Sequence, residues 1–141
     1  MNKKFWTGFV AVFVAMEITM LLVHGVILKS AYEATQSVWR PDVMSLMWIY
    51  HVLAFIGAFF FTFIFSKGYE GNGAIEGARY GLYIGIWMSS GMAYGSFAMI
   101  NIPYLLALQW FIYGVVEFII YGVILALVYG KQATVMATPK A

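Results

Sequence analysis

Residues 104–130 form an apolar run of membrane-spanning length that carries a polar side chain at every fourth position over its central part. These side chains are Gln109, Tyr113, Glu117 and Tyr121. On an α-helix this spacing places them along one slowly drifting face. Glu117 sits near the middle of the run, where hydrocarbon offers a carboxyl group no water, so its burial is costly unless it is protonated or partnered. We therefore expect this face to lie against other helices and not against lipid.

Three further apolar runs precede this one. The four runs are residues 5–28, 43–65, 80–100 and 104–129, and each has roughly the 20 residues needed to cross a hydrocarbon core about 30 Å thick. Charged residues make up only 10% of the 141-residue chain, whereas a soluble domain has about 25%. Because the runs occupy most of the chain, the sequence predicts one all-α domain over 1–141, a bundle of four transmembrane helices.

The basic residues predict the orientation of this bundle. Lys29 and Arg40 lie in the first connecting segment, and the other six basic residues lie on the opposite side of the predicted membrane: Lys3, Lys4, Lys67, Arg79, Lys131 and Lys140. Because Lys and Arg accumulate in cytoplasmic segments, we expect both termini in the cytoplasm. The net charge of +2 is too small and too dispersed to indicate a nucleic-acid partner.

A row of small residues marks the third run. Gly81, Gly85, Ser89 and Ala93 follow one another at four-residue spacing, with Gly91 and Gly95 beside them. Such a row lets a neighbouring backbone approach closely, which is the main packing device between helices in lipid. The four residues of the row are therefore predicted to form a close helix contact.

Four ionisable residues lie inside the predicted spans: Glu17, His24, His51 and Glu117. Such residues are rare in membranes and are often functional. The chain has no cysteine, which excludes disulfides, iron–sulfur clusters, thiolate metal sites and cysteine nucleophiles. In a first interpretation His24 and His51, which we place at similar depth, bind haem b, or bind a metal ion together with Glu17 or Glu117.

Two other interpretations of these residues remain open. In one, Glu17 and Glu117, both near mid-membrane, carry protons or an ion, with tyrosines as relays. In the other, the polar groups only hydrogen-bond helices to one another and to a larger partner, each bond contributing about 1 kcal/mol. We favour the interpretation as hydrogen bonds between helices. We therefore expect no cofactor, and haem b or a metal ion is the alternative.

Several motifs resemble those of a family of small, uncharacterised bacterial four-helix membrane proteins. They are His24-Gly25-Val26-Ile27-Leu28, Trp39-Arg40-Pro41, Lys67-Gly68-Tyr69-Glu70-Gly71, Glu76-Gly77 and Arg79-Tyr80-Gly81-Leu82-Tyr83-Ile84-Gly85. The resemblance covers almost the whole chain and implies a bacterial source and the four-helix fold. It implies no activity, ligand or catalytic residue.

The function expected from these features is that of a subunit. Four helices bury little surface among themselves, and the chain has almost no segment outside the membrane to recognise a soluble substrate. We expect an accessory or structural subunit of a larger complex of the bacterial inner membrane, with an energy-converting complex as the first candidate. Its partners would be the lipid bilayer and other membrane subunits or further copies of itself, and it would not be an enzyme on its own.

Overall fold

The computed structural model describes residues 2–130, and this part of the chain is helical and contains no β-strand. The four long helices are α1 (Lys3–Leu22), α3 (Trp48–Gly68), α4 (Ala74–Met99) and α5 (Tyr104–Tyr129). The first connection contains the short helix α2 (Lys29–Ala34) and the 3₁₀ turns Gln36–Val38 and Val43–Leu46, and a π-helical turn, Val23–Ile27, extends α1. Lys131 and Lys140, which entered the charge count, lie outside the described residues.

Three stretches within residues 2–130 are long and apolar enough to cross a membrane: Lys3–Ile27, Val43–Gly68 and Tyr104–Tyr129. The remaining predicted span, 80–100, lies inside α4. This helix is 26 residues long, as is α5, but its composition is richer in Gly and Ser. The helix begins at Ala74, six residues earlier than expected, because the charged Glu76 and Arg79 are helical and not part of the connection.

Neighbouring long helices run antiparallel. Helix α1 packs against both α3 and α5, and α5 packs along α4. On α1 and α3 the contacts proceed in opposite directions, since Phe5 meets Phe59 whereas Phe13 meets Phe55. At the other side of α1, the Lys4 ammonium group donates a hydrogen bond to the Tyr129 carbonyl at 2.5 Å. The start of α1 and the end of α5 therefore lie at the same end of the bundle.

The small-residue row of α4 faces α5. Gly77, Gly81, Gly85, Ser89 and Ala93 are all buried. A Cβ atom added at Gly77 or Gly81 would lie 2.1 Å from a backbone carbonyl oxygen of α5. Only glycine permits so close an approach of two backbones, which is the packing expected for small residues in a membrane.

Buried apolar side chains of the described residues form two clusters at different depths. The terminal-end cluster consists of Phe9, Val12, Ala58, Phe61, Phe65, Tyr121, Leu125 and Ala126. The loop-end cluster lies near the first connection and consists of Val23, Leu28, Ile102, Leu106 and Ala107. Along α1 and α5 a stretch of helix separates the two clusters, and Glu17, Thr19 and Glu117 fall within it.

The connection between α3 and α4 is shaped by glycines and one buried acid. Gly71 and Gly73 have φ angles of 91° and 75°, a region in which side chains with a Cβ are strained. The carboxylate of Glu76 accepts hydrogen bonds from the backbone N–H groups of Glu70 at 2.6 Å and Asn72 at 2.8 Å. Glu76 thus holds the turn closed from the first turn of α4.

Candidate functional site

A polar layer lies at the level between the two apolar clusters. It contains Glu17 and Thr19 on α1 and Glu117 on α5, and His51 joins it from α3. Water-free surroundings make such groups expensive unless they find partners, so their hydrogen bonds decide what the layer can do.

Glu17 and His51 form a hydrogen-bonded pair that joins α1 to α3. The distance from Glu17 Oε2 to His51 Nδ1 is 2.6 Å. One helical turn away, the rings of Phe13 and Phe55 meet edge to face with centroids 5.8 Å apart. Because the helices are antiparallel, the residue four places after Phe13 lies opposite the residue four places before Phe55. The aromatic register therefore positions the pair.

The pair opens onto the outer surface of the bundle. The His51 side chain is 53% exposed and that of Glu17 is 27% exposed. Together with Ile18, Met20 and Leu21 they line a groove of about 330 Å³. Ile18 and Leu21 are exposed, so the groove faces the region where lipid would lie. The second carboxyl oxygen, Glu17 Oε1, is buried and has no hydrogen-bond partner within residues 2–130.

Glu117 belongs to a different contact, on the other side of α1. The hydroxyl groups of Thr19 and Tyr121 are hydrogen-bonded, and the Thr19 side chain also faces the carboxyl group of Glu117. Residues two apart on an α-helix point in nearly opposite directions, so Glu17 faces α3 whereas Thr19 faces α5. The structure thus gives the two glutamates different partners on different sides of α1.

The predicted polar face of α5 is only partly enclosed. Tyr121 is buried, and Gln109, Tyr113 and Glu117 are half-buried. Tyr113 packs against the loop-end cluster. The face therefore lies toward the other helices over part of its length.

His24 takes part in a third polar contact, at the loop end of the bundle. Its Nδ1 atom lies 2.5 Å from the Tyr32 hydroxyl oxygen, and the Trp110 indole N–H donates to the same oxygen at 2.8 Å. The imidazole and phenol rings of His24 and Tyr32 stack with centroids 6.0 Å apart. This contact ties the end of α1, helix α2 and the start of α5 together.

The bonding of Tyr32 fixes what its hydroxyl group can donate. An indole N–H is only a donor, so the Tyr32 oxygen accepts from Trp110 and its own proton is free for His24 Nδ1. Burial raises the pKa of Tyr32 to about 12, a rise that the Trp110 hydrogen bond opposes. Tyr32 therefore remains a neutral donor at physiological pH.

A π-helical turn carries His24 into this contact. The turn Val23–Ile27 ends with a hydrogen bond from the Leu28 N–H to the Val23 carbonyl at 2.8 Å. Single π-helical turns are uncommon in proteins, and those that do occur are often found at functional sites. Here the wider turn rotates the chain before α2 begins at Lys29.

The structure places the two histidines in separate contacts, His51 with Glu17 and His24 with Tyr32. In the part of the chain that the structure describes, no three His, Asp or Glu side chains come together as a metal site would require. Each imidazole uses Nδ1 and keeps Nε2 for a further contact. Binding of haem b or a metal ion by these residues stays a prediction.

Tyr32, Trp110 and Glu76 are part of the polar framework but were not identified from the sequence. Tyr32 and Trp39 did give one signal, since they are aromatic residues in an otherwise polar connection. Their rings meet edge to face with centroids 5.8 Å apart. Glu76 gave none, because an acid in the first turn of a helix is ordinarily explained by the helix dipole.

Comparison of the chain with protein-family models, curated proteins and solved structures gives no match.

Proposed function

We propose that the chain is an accessory or structural subunit of a larger bacterial membrane complex and that α4 docks it there. The observation that carries this proposal is a second small-residue pair on α4, Gly91 and Gly95, four residues apart. Within residues 2–130, a Cβ added at either position meets no atom within 4 Å. The pair is exposed, whereas the first row of small residues is buried against α5.

An open Gly-x-x-x-Gly pair suits contact with another transmembrane helix. Two backbones can approach closely there, and van der Waals packing replaces the hydrophobic drive that lipid removes. Exposed side chains of the kind common at interfaces surround the pair, among them Trp87, which is 68% exposed, and Met92. The surface offered to a partner is therefore glycine framed by large, adaptable side chains.

The composition of α4 supports the same conclusion. A helix that meets protein on one side and lipid on the other is expected to carry an apolar outer face. In contrast, α4 is the least apolar of the four long helices. A second protein neighbour accounts for this composition.

The proposed subunit spans the inner membrane with four helices and has both termini in the cytoplasm. Two features support a crossing by α4: it matches α5 in length and it packs along α5. The distribution of Lys and Arg supports the cytoplasmic position of both termini. The ionisable groups inside the spans are typical of complexes that move protons or electrons, and on this ground we place the partner among the energy-converting complexes.

Native electrophoresis after mild-detergent extraction tests this proposal. The wild-type chain should migrate within a large multi-subunit band. Gly91→Leu and Gly95→Leu should release it as a smaller species, because a leucine side chain holds the partner backbone away. Gly57→Leu is the matched control, since Gly57 is a glycine of α3 whose added Cβ also meets nothing within 4 Å in the described chain.

Two outcomes contradict the proposal. Wild-type migration as a monomer or a small homo-oligomer means that there is no larger complex. A large band that Gly57→Leu disrupts as strongly as Gly91→Leu means that α4 is not the docking helix.

A further inference from the structure

The groove at Glu17 and His51 leaves two hydrogen-bonding atoms without a partner in the described chain, the buried Glu17 Oε1 and the exposed His51 Nε2. Glu17 Oε2 and His51 Nδ1 are bonded to each other at 2.6 Å. Within the described part of the chain His51 Nε2 makes no hydrogen bond, and the imidazole is 53% exposed. Lipid cannot satisfy a polar group, so an occupant of the groove that bonds to Nε2 is favoured.

The chemistry of the pair decides what kind of occupant it accepts. A pair without net charge is the least costly arrangement in hydrocarbon. The shared proton then belongs either to the carboxyl group or to Nδ1. In both cases the imidazole carries a hydrogen on Nε2. The groove therefore presents the His51 Nε2–H group as a donor, and an occupant that forms a hydrogen bond with it must carry an acceptor.

The depth of the groove restricts the acceptor further. Glu17 lies ten residues before Ile27 and fourteen after Lys3, the two ends of the first span. At 1.5 Å per residue these separations are about 15 Å and about 21 Å. His51 lies eight residues, or about 12 Å, from Val43 at the start of the second span, so the pair lies within the spans in the half nearer the first connection. Ester carbonyl groups of phospholipids lie at the interface, outside the hydrocarbon in which the pair lies. The acceptor must belong to a molecule that carries its polar group into hydrocarbon.

We propose that the groove binds the headgroup of a lipid-soluble quinone, with one ring carbonyl accepting a hydrogen bond from His51 Nε2. A quinone ring is neutral and flat, has carbonyl acceptors, and is carried through the membrane core by an apolar tail. The groove of about 330 Å³ has apolar walls from Ile18, Met20 and Leu21 on which such a ring can rest. Glu17 is a positioning residue that fixes the imidazole. Binding involves no electron transfer and does not depend on the docking face of α4.

Quinone titration of the purified full-length chain tests this site. Decylubiquinone is added to protein in nanodiscs, and quenching of tryptophan fluorescence is followed. Trp48 lies one turn from His51 and reports on the groove. The wild type should show saturable quenching. His51→Phe should weaken binding about tenfold, because it removes the donor and keeps a ring of similar size.

Two variants make the result specific. His24→Phe is the matched control, because His24 is the other histidine of the spans and does not line the groove. The affinity of this variant for decylubiquinone should stay within about twofold of that of the wild type. Leu21→Phe places an aromatic ring in the groove from an exposed position, leaves the hydrogen-bonded pair intact and adds no tryptophan to the fluorescence signal. It should weaken binding at least as much as His51→Phe, and it tests the site even if His51→Phe does not fold. Folding of each variant is checked by circular dichroism and gel filtration.

Quinone that co-purifies with the protein gives an independent measurement. Organic extraction of wild-type protein should release close to one quinone per chain, and His51→Phe should release little. Equal affinity and equal quinone content in the wild type and both groove variants overturn the proposal. A Soret band that His51→Phe abolishes also overturns it, because His51 Nε2 then ligates haem and is not an N–H donor.

Discussion

Replacing Gly81 with alanine tests the contact that determines how α4 and α5 pack. The added Cβ would lie 2.1 Å from the Phe118 carbonyl oxygen and 2.7 Å from the Ile119 Cα atom. Both obstacles are backbone atoms, so no side-chain rotation relieves the overlap. The helices must separate, and an ordinary contact begins at 3.4 Å. The required displacement is therefore about 1.3 Å at this point.

The cost of this displacement follows from packing. Inserting a methyl group into a well-packed interior costs about 1–3 kcal/mol. A gap of only 0.5–1 Å already forfeits roughly a quarter to a half of the dispersion energy of the atoms that lose contact. Better helix propensity of alanine returns at most about 1 kcal/mol. We expect Gly81→Ala to lower the free energy of unfolding by about 2 kcal/mol or more.

Unfolding in mixed micelles with increasing SDS, followed by circular dichroism, measures this loss. Gly91→Ala is the matched control on the same helix, because its added Cβ meets no described atom within 4 Å. Its stability should equal that of wild type or exceed it by up to about 1 kcal/mol. Gly85→Ala should fall between the two, since its nearest neighbour, a side-chain carbon of Phe118, is 2.9 Å away. Equal stability of Gly81→Ala and Gly91→Ala would refute the packing of α4 on α5.

Three further predictions concern the loops and the orientation. Burial raises the pKa of Tyr32 from 10.0 to about 12. The stability that the neutral Tyr32 hydroxyl group contributes is therefore complete below pH 10 and is lost as the pH rises to about 12. We expect the free energy of unfolding to depend less on pH in this alkaline range in Tyr32→Phe than in the wild type. Glu76→Gln replaces one buried acceptor of a backbone N–H with a donor and should lower the free energy of unfolding by about 1.5–3 kcal/mol, whereas Glu33→Gln, at an exposed carboxylate, should change it little. In intact cells an impermeant thiol reagent should label Ser37→Cys and spare Asn72→Cys, and the reverse labelling would show that the orientation is inverted.

The ends of α5 could be predicted because residues typical of helix boundaries flank a long apolar run. Pro103 precedes the helix and Gly130, with a φ angle of 69°, follows it. The predicted range 104–129 agrees with α5 for this reason. The start of α4 could not be predicted in the same way, because Glu76 is charged and was assigned to the connection. Its charge is used locally, against two backbone N–H groups, and this leaves the helix free to begin at Ala74.

The composition of the polar site was visible in the sequence, but its pairing was not. His24 and His51 were placed at similar depth from the length of the first connection. In the structure His51 bonds instead to Glu17, because the register of Phe13 on Phe55 sets α1 against α3. The register between two helices depends on the combined packing of many side chains, so no single spacing in the sequence predicts it.

The position of α1 bears directly on whether Glu17 and Glu117 could form one proton or ion pathway. Glu17 opens with His51 onto the outer groove, whereas Glu117 lies on the opposite side of α1 next to Thr19. The Thr19 hydroxyl is bonded to Tyr121, which also belongs to the buried terminal-end cluster. A proton passing from one glutamate to the other would have to cross the backbone of α1, whose carbonyl groups are used in the helix. Among residues 2–130, no chain of hydrogen bonds joins the two glutamates around α1. Within the described residues the two glutamates thus belong to two separate polar contacts and not to one continuous pathway, so conduction through both would require further polar groups.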